Sequence, residues 1–328
     1  MGGRYLVTGG AGFVGSHIVA GLLDRGDTCV VFDNLTTGHA AAVLPGASLI
    51  IGDLADPAAI DAAMAMGPWD AVLHFASLSL VGESMRDPMR YLIDNPGNAG
   101  RLIDACVRHG VRRFVFSSTA ALFGTAGPGS IGEATAVEPG SAYGESKHMV
   151  ERMLHWAGQV HGLNAACLRY FNAAGADLDG RLGEHHSPET HLIPLVIETA
   201  LGLRAELVVN GTDYDTPDGT CIRDYVHVTD LATAHLQSID QLAHGSVVYN
   251  LGTGRGHSVL EVIRAVERIS GLPVPYRLAG RRPGDPAMLV ASPDRIMRET
   301  GWTPRHSSLD EIVTTALAWK RQHMAGYG

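Results

Sequence analysis

The chain has 328 residues, of which 45% are hydrophobic and 18% are charged, and its formal net charge is -9. This composition is typical of a globular protein with a large core, and the length alone favours about two domains. The acidic balance argues against a nucleic-acid partner, because phosphate backbones require a basic face. No apolar run approaches the roughly 20 residues of a membrane helix, so we expect no membrane partner. The four cysteines are widely separated, which favours a reduced, cytoplasmic protein.

The amino-terminal residues predict a strand, a glycine turn and a helix. Apolar residues 5–7 precede Gly9-Gly-Ala-Gly12-Phe-Val-Gly15, and a helical pattern follows at residues 16–23. Glycines at these spacings let the backbone approach a pyrophosphate, and the N–H groups at the helix N-terminus attract the anion. The next apolar run ends at Asp33, where a ribose-binding carboxylate is expected. A glycine turn without a ligand is the alternative, but Asp33 favours binding of NAD, and of NAD over NADP.

Strand-length apolar runs then alternate with helical patterns along the first half of the chain. They lie at residues 5–7, 29–32, 48–51, 71–75, 113–116 and 165–168. This alternation predicts an α/β fold of the Rossmann type, a doubly wound parallel sheet with its chemistry at the carboxyl ends of the strands. We predict an NAD-binding domain at residues 1–172 and a smaller, mainly substrate-binding region at residues 173–328. Residues 247–251 are predicted to return to the sheet.

The segment Ser141-Ala-Tyr-Gly-Glu-Ser-Lys147 places a phenol and an ammonium group on one helix face, because residues four apart are neighbours there. A free phenol has a pKa of about 10, and bringing it near neutrality takes roughly 4 kcal/mol of preference for the phenolate. We expect the ammonium of Lys147 to supply much of this and to lower the pKa of Tyr143. Alone, the spacing is common on helix surfaces; beside a nucleotide-binding turn it predicts an acid/base pair.

The glycine turn, Ser117-Ser-Thr119 and Tyr143-x-x-x-Lys147 together resemble the extended short-chain dehydrogenase/reductase superfamily. Within it, further segments resemble the UDP-glucose 4-epimerase family, in that family's order and from about residue 4 to about residue 305. These segments are His74-Phe-Ala, Val81-Gly-Glu-Ser84, Leu168-Arg-Tyr-Phe-Asn172, Gly211-Thr-Asp-Tyr214, Asp218-Gly-Thr-Cys-Ile-Arg-Asp-Tyr-Val-His-Val228 and Arg281-Arg-Pro-Gly-Asp285.

The resemblance implies a role for each catalytic residue. Tyr143 is the acid/base, Lys147 holds the nicotinamide ribose, and Thr119 bonds the reacting sugar oxygen. The sugar is oxidised at C4 by tightly bound NAD, turns as a 4-keto sugar, and is reduced on its other face. Related dehydratases carry an Asp-Glu pair after the position of Thr119. This chain has Ala120 and Ala121 there, which disfavours elimination.

The resemblance also implies two sets of contacts. The expected cofactor contacts are Gly9, Gly12, Phe13, Val14, Gly15, Asp33, Asn34, Asp53, Leu54, Phe75, Ala76, Ser77, Asn95, Ser117, Tyr143, Lys147 and Tyr170. The expected contacts of the UDP-sugar are Thr119, Tyr143, Asn172, Leu192, Arg223, Tyr225, Arg282, Asp285 and Leu289. Asn172, Arg223 and Arg282 suit a diphosphate, since guanidinium groups match phosphate oxygens. The structural alternatives are an Arg223–Asp224 salt bridge and a solvated Arg281–Arg282 pair.

Two departures from the family pattern bear on substrate and cofactor. Ser79 stands where some epimerases carry a lysine that reaches the cofactor phosphates. Leu289 stands where some members carry a tyrosine that limits the space around the C2 substituent, although Met288 takes that place if the alignment shifts by one. A smaller residue there favours N-acetylated sugars as additional substrates.

Other functions stay open from the sequence. A UDP-glucuronate 4-epimerase or another NAD-dependent nucleotide-sugar oxidoreductase uses the same motifs, and a non-catalytic NAD-sensing protein is a remote alternative. We expect no metal, because Glu184, His185, His186 and His191 lie in a polar segment typical of a surface loop. The expected partners are a UDP-sugar and a second copy of the chain in a homodimer.

Overall fold

The computed structural model describes residues 2–124, 129–282 and 285–327, and its strands are short and numerous. In chain order they are β1 (Arg4–Thr8), β2 (Thr28–Asp33), β3 (Ala47–Ile51), β4 (Ala71–His74), β5 (Arg113–Thr119), β6 (Ser130–Ile131), β7 (Asn164–Tyr170), β8 (Asn172–Ala174), β9 (Leu207–Asn210), β10 (Ile222–Arg223), β11 (Tyr225–His227), β12 (Val247–Leu251), β13 (His257–Ser258), β14 (Tyr276–Ala279) and β15 (Met288–Ala291).

The helices of the described residues fall between these strands. They are α1 (Phe13–Asp24), α2 (Pro57–Met64), α3 (Val81–Ser84), α4 (Pro88–Arg108), α5 (Ala142–His161), α6 (Leu192–Ala200), α7 (Val228–Gln241), α8 (Val259–Ser270), α9 (Asp294–Thr300) and α10 (Leu309–Gln322). None of the helices in the described part of the chain is long and apolar enough to span a membrane.

Seven parallel strands form the main sheet, in the order β12-β7-β5-β4-β1-β2-β3. All six strands expected from the apolar runs belong to it, so the doubly wound Rossmann-type fold is confirmed. The run at residues 247–251 is the edge strand β12, parallel to β7. The order reverses direction at β1, and ligands of such sheets bind at this switch point beyond the carboxyl ends of the strands.

Helices cover both faces of the sheet because its strands are apolar on both sides. On one face α1 and α7 pack Ile18 and Leu231 in one core cluster with Val7. On the other face Leu154 of α5 lies in a second cluster with Leu6. Fully burying a side chain of this size contributes about 1.5–3 kcal/mol. The two clusters hold the strand ends, and therefore the site, in fixed positions.

The C-terminal region has its own core and covers the carboxyl end of the sheet. A third cluster joins α6, α8 and α10. Its short strands pair with the next strand after a main strand. β15 pairs with β6, the next strand after β5, and β11 pairs with β8, the next strand after β7. Since β10 pairs with β15, residues of β10 and β15 are carried to the strand ends where a ligand is expected.

Candidate functional site

The glycine turn connects β1 to α1 with no room for side chains at two positions. Gly9 has a φ of +74°, and a Cβ there would lie 2.4 Å from the main-chain nitrogen of Ala76. A Cβ on Gly15 would lie 2.3 Å from the carbonyl oxygen of Gly9. Within the described residues no side chain caps α1, whose first turn carries Phe13, Val14 and Gly15. Its N–H groups and positive dipole end therefore face the switch point and suit a pyrophosphate.

Asp33 ends β2 beside this turn, and the surrounding amides hold its carboxylate in place. One oxygen accepts from the Ala11 N–H at 3.0 Å, and the other accepts from the Leu35 N–H at 2.9 Å. Each oxygen retains acceptor capacity for a ribose diol.

Asn34 and Asp53 lie together at the next strand end, at the rim of the expected cofactor site. Asn34 donates to the Asp53 carboxylate at 2.9 Å, and this carboxylate also accepts from the Ala55 N–H at 2.8 Å. These two bonds lower the pKa of Asp53, the Ala55 bond more than the Asn34 bond. Leu54, which follows Asp53 in the chain, is buried in the core cluster that contains Phe32.

Lys147 is buried between β5 and the segment that follows β4. Its Nζ donates to Ser77 Oγ at 2.8 Å and to the carbonyl oxygen of Ser117 at 2.9 Å. Two of its three protons are thus engaged within the protein, and one is available to a ligand hydroxyl. Burial lowers the pKa of Lys147 to about 7.

Tyr143 stands on the first turn of α5, where the helix dipole favours negative charge. The Nζ of Lys147 lies 5.8 Å from the centre of its ring. Burial nevertheless raises the pKa of Tyr143 to about 12, while a hydrogen bond with the Thr119 side chain acts in the opposite direction. The expectation that Lys147 lowers this pKa is therefore wrong for the protein alone, because burial disfavours the charged form of both groups.

Thr119 is the last residue of β5, and its hydroxyl serves two purposes. It accepts from the Ala121 N–H at 3.1 Å, which is the strand-capping role, and it also contacts Tyr143. A glycine next to the tyrosine makes this approach feasible. A Cβ on Gly144 would lie 2.4 Å from the carbonyl oxygen of Ala121. The tight packing of α5 on the turn after β5 therefore brings the phenol to Thr119.

Aromatic residues form the wall of the site near β7. The hydroxyls of Ser117 and Tyr170 contact each other at the ends of β5 and β7. His235 of α7 packs against Phe75 and Tyr170, with ring centres 5.2 and 5.9 Å away. His235 was not predicted, because its contacts depend on how α7 packs against the sheet.

Asn95 was expected to contact the cofactor, but the structure uses its amide within the protein. Its oxygen accepts from the Leu78 N–H at 2.8 Å, and its nitrogen donates to the Leu78 carbonyl and the Ser146 hydroxyl, each at 3.0 Å. Ser146 in turn donates to the carbonyl oxygen of Tyr143 at 2.7 Å. Asn95 therefore positions the segment after β4 against the start of α5.

Two charged groups that support the site were missed from the sequence. Glu83, within the motif at residues 81–84, accepts a 2.6 Å hydrogen bond from the Tyr91 hydroxyl, and the Tyr91 ring meets Tyr143 edge-on. Glu151 of α5 forms a buried ion pair with Arg169 at 2.5 Å and accepts from the Ser118 hydroxyl at 2.6 Å. The spacing of Glu151 four residues after Lys147 was a usable signal, since both lie on the helix face toward the sheet.

On the substrate side, Arg223 forms an ion pair with Asp285. The alternative of an Arg223–Asp224 salt bridge is therefore wrong. Asp224 is fully buried and accepts from Thr253, Gly254 and Ala291 main-chain N–H groups, while burial raises its pKa. Neighbouring strand residues point to opposite faces, which separates the two side chains.

The remaining substrate candidates differ in how accessible they are. The Asn172 amide donates to the Asp224 carbonyl oxygen at 3.0 Å and stays half-buried at the start of β8. Leu192 is the first residue of α6 and is partly buried. Tyr225, predicted to lie near the uridine, is buried in the third core cluster, and burial raises its pKa.

Arg281 and Arg282 are both exposed, as expected for a solvated pair, but they have separate partners. Arg281 donates to Asp213 at 2.7 Å and stacks over the Tyr214 ring at 4.3 Å. With the Asn210 amide turned so that its oxygen faces Arg282, the guanidinium donates to it at 3.0 and 3.2 Å. Pro283 and Gly284 of this motif lie outside the described residues.

Leu289 lies on β15 opposite Arg223, and its side chain is partly buried. It packs in a small apolar cluster with Leu122, Phe123 and Phe171. Leu122 belongs to the turn that follows Thr119. This packing favours Leu289 over Met288 as the residue nearest the sugar, because successive strand residues face opposite sides.

Comparison with known proteins agrees with this geometry. The profile of the NAD dependent epimerase/dehydratase family matches residues 5–252. The chain belongs to this family. A UDP-glucose 4-epimerase of Halalkalibacterium halodurans is 45% identical over 98% of this chain and 97% of its own. The family assignment confirms the resemblance seen in the motifs.

Solved structures of the family match over almost the whole chain. A UDP-glucose 4-epimerase from Brucella ovis, in complex with NAD, is 44% identical, with a TM-score of 0.93 over 96% of this chain and 98% of its own. One from Bifidobacterium longum, in complex with NAD+ and UDP, is 37% identical, with a TM-score of 0.93 over 98% of this chain and 99% of its own.

Proposed function

We propose that this protein is an NAD-dependent UDP-glucose 4-epimerase that interconverts UDP-glucose and UDP-galactose. The proposal rests on one observation: Thr119, Tyr143 and Lys147 converge at the carboxyl end of β5. The glycine turn beside them suits a pyrophosphate. The full-length similarity to enzymes of this name supports it and does not favour a uronate epimerase or a sensor. This activity belongs to galactose metabolism.

The described residues fit NAD in three places. The glycine turn and the start of α1 take the pyrophosphate, Asp33 takes the adenine-side ribose diol, and the free proton of Lys147 takes a hydroxyl of the nicotinamide ribose. We assign residues 1–172 and β12 to this cofactor and most of residues 173–328 to the sugar nucleotide. NAD, when bound, supplies a reversible two-electron oxidant for C4 of the sugar.

Tyr143 moves the proton. Its phenolate form takes the proton from O4 of the hexose, and the resulting phenol returns it when C4 is reduced. A pKa of about 12 means that the phenol is the resting form, so a neighbouring positive charge must offset burial before it acts as a base. We propose that the Lys147 ammonium and, once NAD is bound, its positive nicotinamide ring would together supply this charge. Thr119 holds O4 next to the phenol.

The rest of the chain holds the nucleotide while the sugar turns. Arg223, Arg282 and Asn172 are assigned to the diphosphate, because the first two carry guanidinium groups and the third an amide donor. Ala120 and Ala121 follow Thr119 and offer no acid to protonate a leaving hydroxyl. The intermediate is therefore reduced again rather than dehydrated.

The direct test is to incubate the purified protein with UDP-glucose alone and then with UDP-galactose alone. We expect each to yield the same equilibrium mixture, without added reductant. Net consumption of NAD with accumulation of an oxidised or dehydrated sugar would contradict the proposal. The Tyr143→Phe variant, which lacks the acid/base hydroxyl, is the matched negative control.

We also propose a cytoplasmic homodimer. The four cysteines, all within the described residues, are buried and form no disulfide, which suits a reducing compartment. Neighbouring helices α4 and α5 expose large apolar side chains, Met89 and Ile93 on α4 and Trp156 and Val160 on α5. Exposed apolar side chains on adjacent helices favour a protein interface along both helices. Light scattering should report a dimer for the native protein and a monomer for Ile93→Asp; a native monomer would exclude the dimer.

A further inference from the structure

Four side chains with metal-binding chemistry converge in the segment between β8 and α6. They are Glu184, His186, Glu189 and His191, and one donor atom of each lies within 4.8 Å of every other. None of them has a role in the reaction described above. Two imidazole nitrogens and two carboxylate oxygens at this separation are the donors of a four-coordinate metal centre.

The donor atoms lie next to one another. His186 Nδ1 lies 3.4 Å from Glu184 Oε1 and 3.4 Å from Glu189 Oε2. The Nδ1 of His191 contacts the same Glu184 oxygen. Although His186 is surrounded by these acceptors, its Nδ1 is buried and has no hydrogen-bond partner among the described residues. A buried donor or acceptor left without a partner is costly, which indicates that another atom completes the cluster.

The charges of the cluster also suit a cation. The carboxylates of Glu184 and Glu189 are only 6% and 5% exposed, and each contacts an imidazole of the cluster. Without a metal ion, protonated imidazoles balance the two carboxylates; a bound cation takes over that role. A divalent cation with two neutral imidazoles balances their two negative charges.

The segment is held in place by contacts that do not use the four donors. The Tyr327 hydroxyl accepts from the Gly183 N–H and donates to the Gly183 carbonyl oxygen, both at 2.9 Å. The imidazole of His39 contacts the His185 carbonyl oxygen at 3.2 Å. The other oxygen of Glu189 accepts from the Thr190 and His191 N–H groups at 2.7 and 2.8 Å, which orients its free oxygen. Orientation of this kind is typical of metal ligands.

We propose that Glu184, His186, Glu189 and His191 bind one divalent transition metal ion, with Zn²⁺ the best match to the donor set. Four protein donors leave no open position, so the site is structural rather than catalytic. The ion would close the segment immediately before α6 and fix Leu192, the first residue of that helix. The proposal does not depend on the epimerase activity.

The test uses Co²⁺ as a visible probe for the zinc site. Full-length protein stripped of metal by a chelator is titrated with Co²⁺, and absorption is recorded, because four-coordinate Co²⁺ absorbs far more strongly than the hydrated ion. We expect one saturable Co²⁺ per chain with intense visible bands, displaced by Zn²⁺. Absence of a saturable four-coordinate spectrum in the native protein overturns the proposal, whatever the variants do.

Variants then locate the ion. His186→Gln and His191→Gln should each weaken Co²⁺ binding by at least the 10- to 100-fold that changes around metal ligands typically cost. His306→Gln is the matched control, because His306 also contacts a glutamate, Glu311 at 2.6 Å, but lies outside the cluster. Unchanged Co²⁺ binding in both cluster variants would show that other histidines hold the ion, and would overturn the assignment.

Discussion

Arg223 of β10 and Asp285, which precedes β15, form an ion pair whose side chains are only 13% and 24% exposed. The pair joins the two sides of the expected diphosphate site. Arg223 also donates through Nη1 to the Ile222 carbonyl oxygen at 2.8 Å, so its guanidinium is held from two directions. A guanidinium fixed in this way loses little freedom when it binds a phosphate, which favours tight recognition.

Removing this guanidinium should weaken substrate binding. We expect Arg223→Met to raise KM for UDP-glucose by about 10- to 100-fold, since a hydrogen bond to a charged group contributes about 1.5–3 kcal/mol. Steady-state kinetics measures it, with Arg268→Met as control because Arg268 forms an exposed ion pair with Asp310. A large loss of kcat at unchanged KM would instead place Arg223 at the reacting carbon.

Removing the phenol of Tyr143 should stop the reaction without loss of binding. We expect Tyr143→Phe to lower kcat by on the order of 10² to 10⁴, the contribution of a general acid/base. The affinity for UDP-glucose, measured by calorimetry, should stay near the native value. Tyr276→Phe, which removes an exposed hydroxyl, serves as control. A near-normal rate in Tyr143→Phe would rule out the assigned role.

The main sheet was predictable because its strands are short apolar runs punctuated by glycines and helical patterns, and this periodicity depends on local sequence alone. The return of β12 to β7 was visible for the same reason. The small sheet of β6, β10, β13 and β15 was not predicted. Its strands have only two to four residues, too few to show a periodic pattern, so their pairing depends on tertiary contacts.

Part of the site followed from the sequence, and part did not. Gly9, Asp33 and the Tyr143–Lys147 pair lie where motif spacing placed them, since each belongs to one turn or one helix. Hydrogen-bond partners from distant elements could not be predicted. Arg223 bonds Asp285 rather than Asp224, and Asn95 bonds Leu78 and Ser146. The expected pKa direction of Tyr143 was also wrong, because burial depends on the whole fold.

Acid should destabilise this protein through four buried histidines. Burial lowers the pKa of each from its ordinary value of 6.5: to about 4 for His17 and His235, and to about 3 for His74 and His227. Below pH 6.5 the unfolded chain therefore binds protons that the folded chain does not bind. The stability that these histidines contribute above pH 6.5 is lost as the pH falls toward 4 and 3, by up to about 1.4 kcal/mol per pH unit for each.

His235→Phe isolates one of these contributions. His235 donates only to the Leu231 carbonyl oxygen, and its Nε2 has no hydrogen-bond partner in the described part of the chain, so an apolar ring of similar size is tolerated. We expect a shallower fall of the unfolding free energy below pH 6.5, by up to about 1.4 kcal/mol per pH unit. Urea unfolding at fixed protein concentration measures it. His244→Gln, at an exposed position, should keep the native slope; an identical slope for both variants would contradict burial as the cause.

The sugar pocket gives the sharpest prediction about substrate range. Leu289 packs beside Phe171 and Leu122, at the turn that follows Thr119, and it has less reach than a tyrosine. We expect room for an acetamido group at C2, so that UDP-N-acetylglucosamine reacts within about tenfold of UDP-glucose, a margin of roughly 1.4 kcal/mol in the barrier. Rates for the two substrates under identical conditions measure this ratio.

Substitution at this position should act on one substrate only. Leu289→Tyr fills the expected space and should depress the N-acetylated reaction while leaving the UDP-glucose reaction near its native rate. Met288→Tyr is the matched control, because the preceding residue of β15 faces the other side of the strand. If Met288→Tyr selectively slowed the N-acetylated reaction, the sugar pocket would instead lie on the Met288 side of β15. If the native protein converts UDP-glucose but not UDP-N-acetylglucosamine, a residue other than Leu289 closes the pocket, and side-chain size at position 289 does not set the specificity.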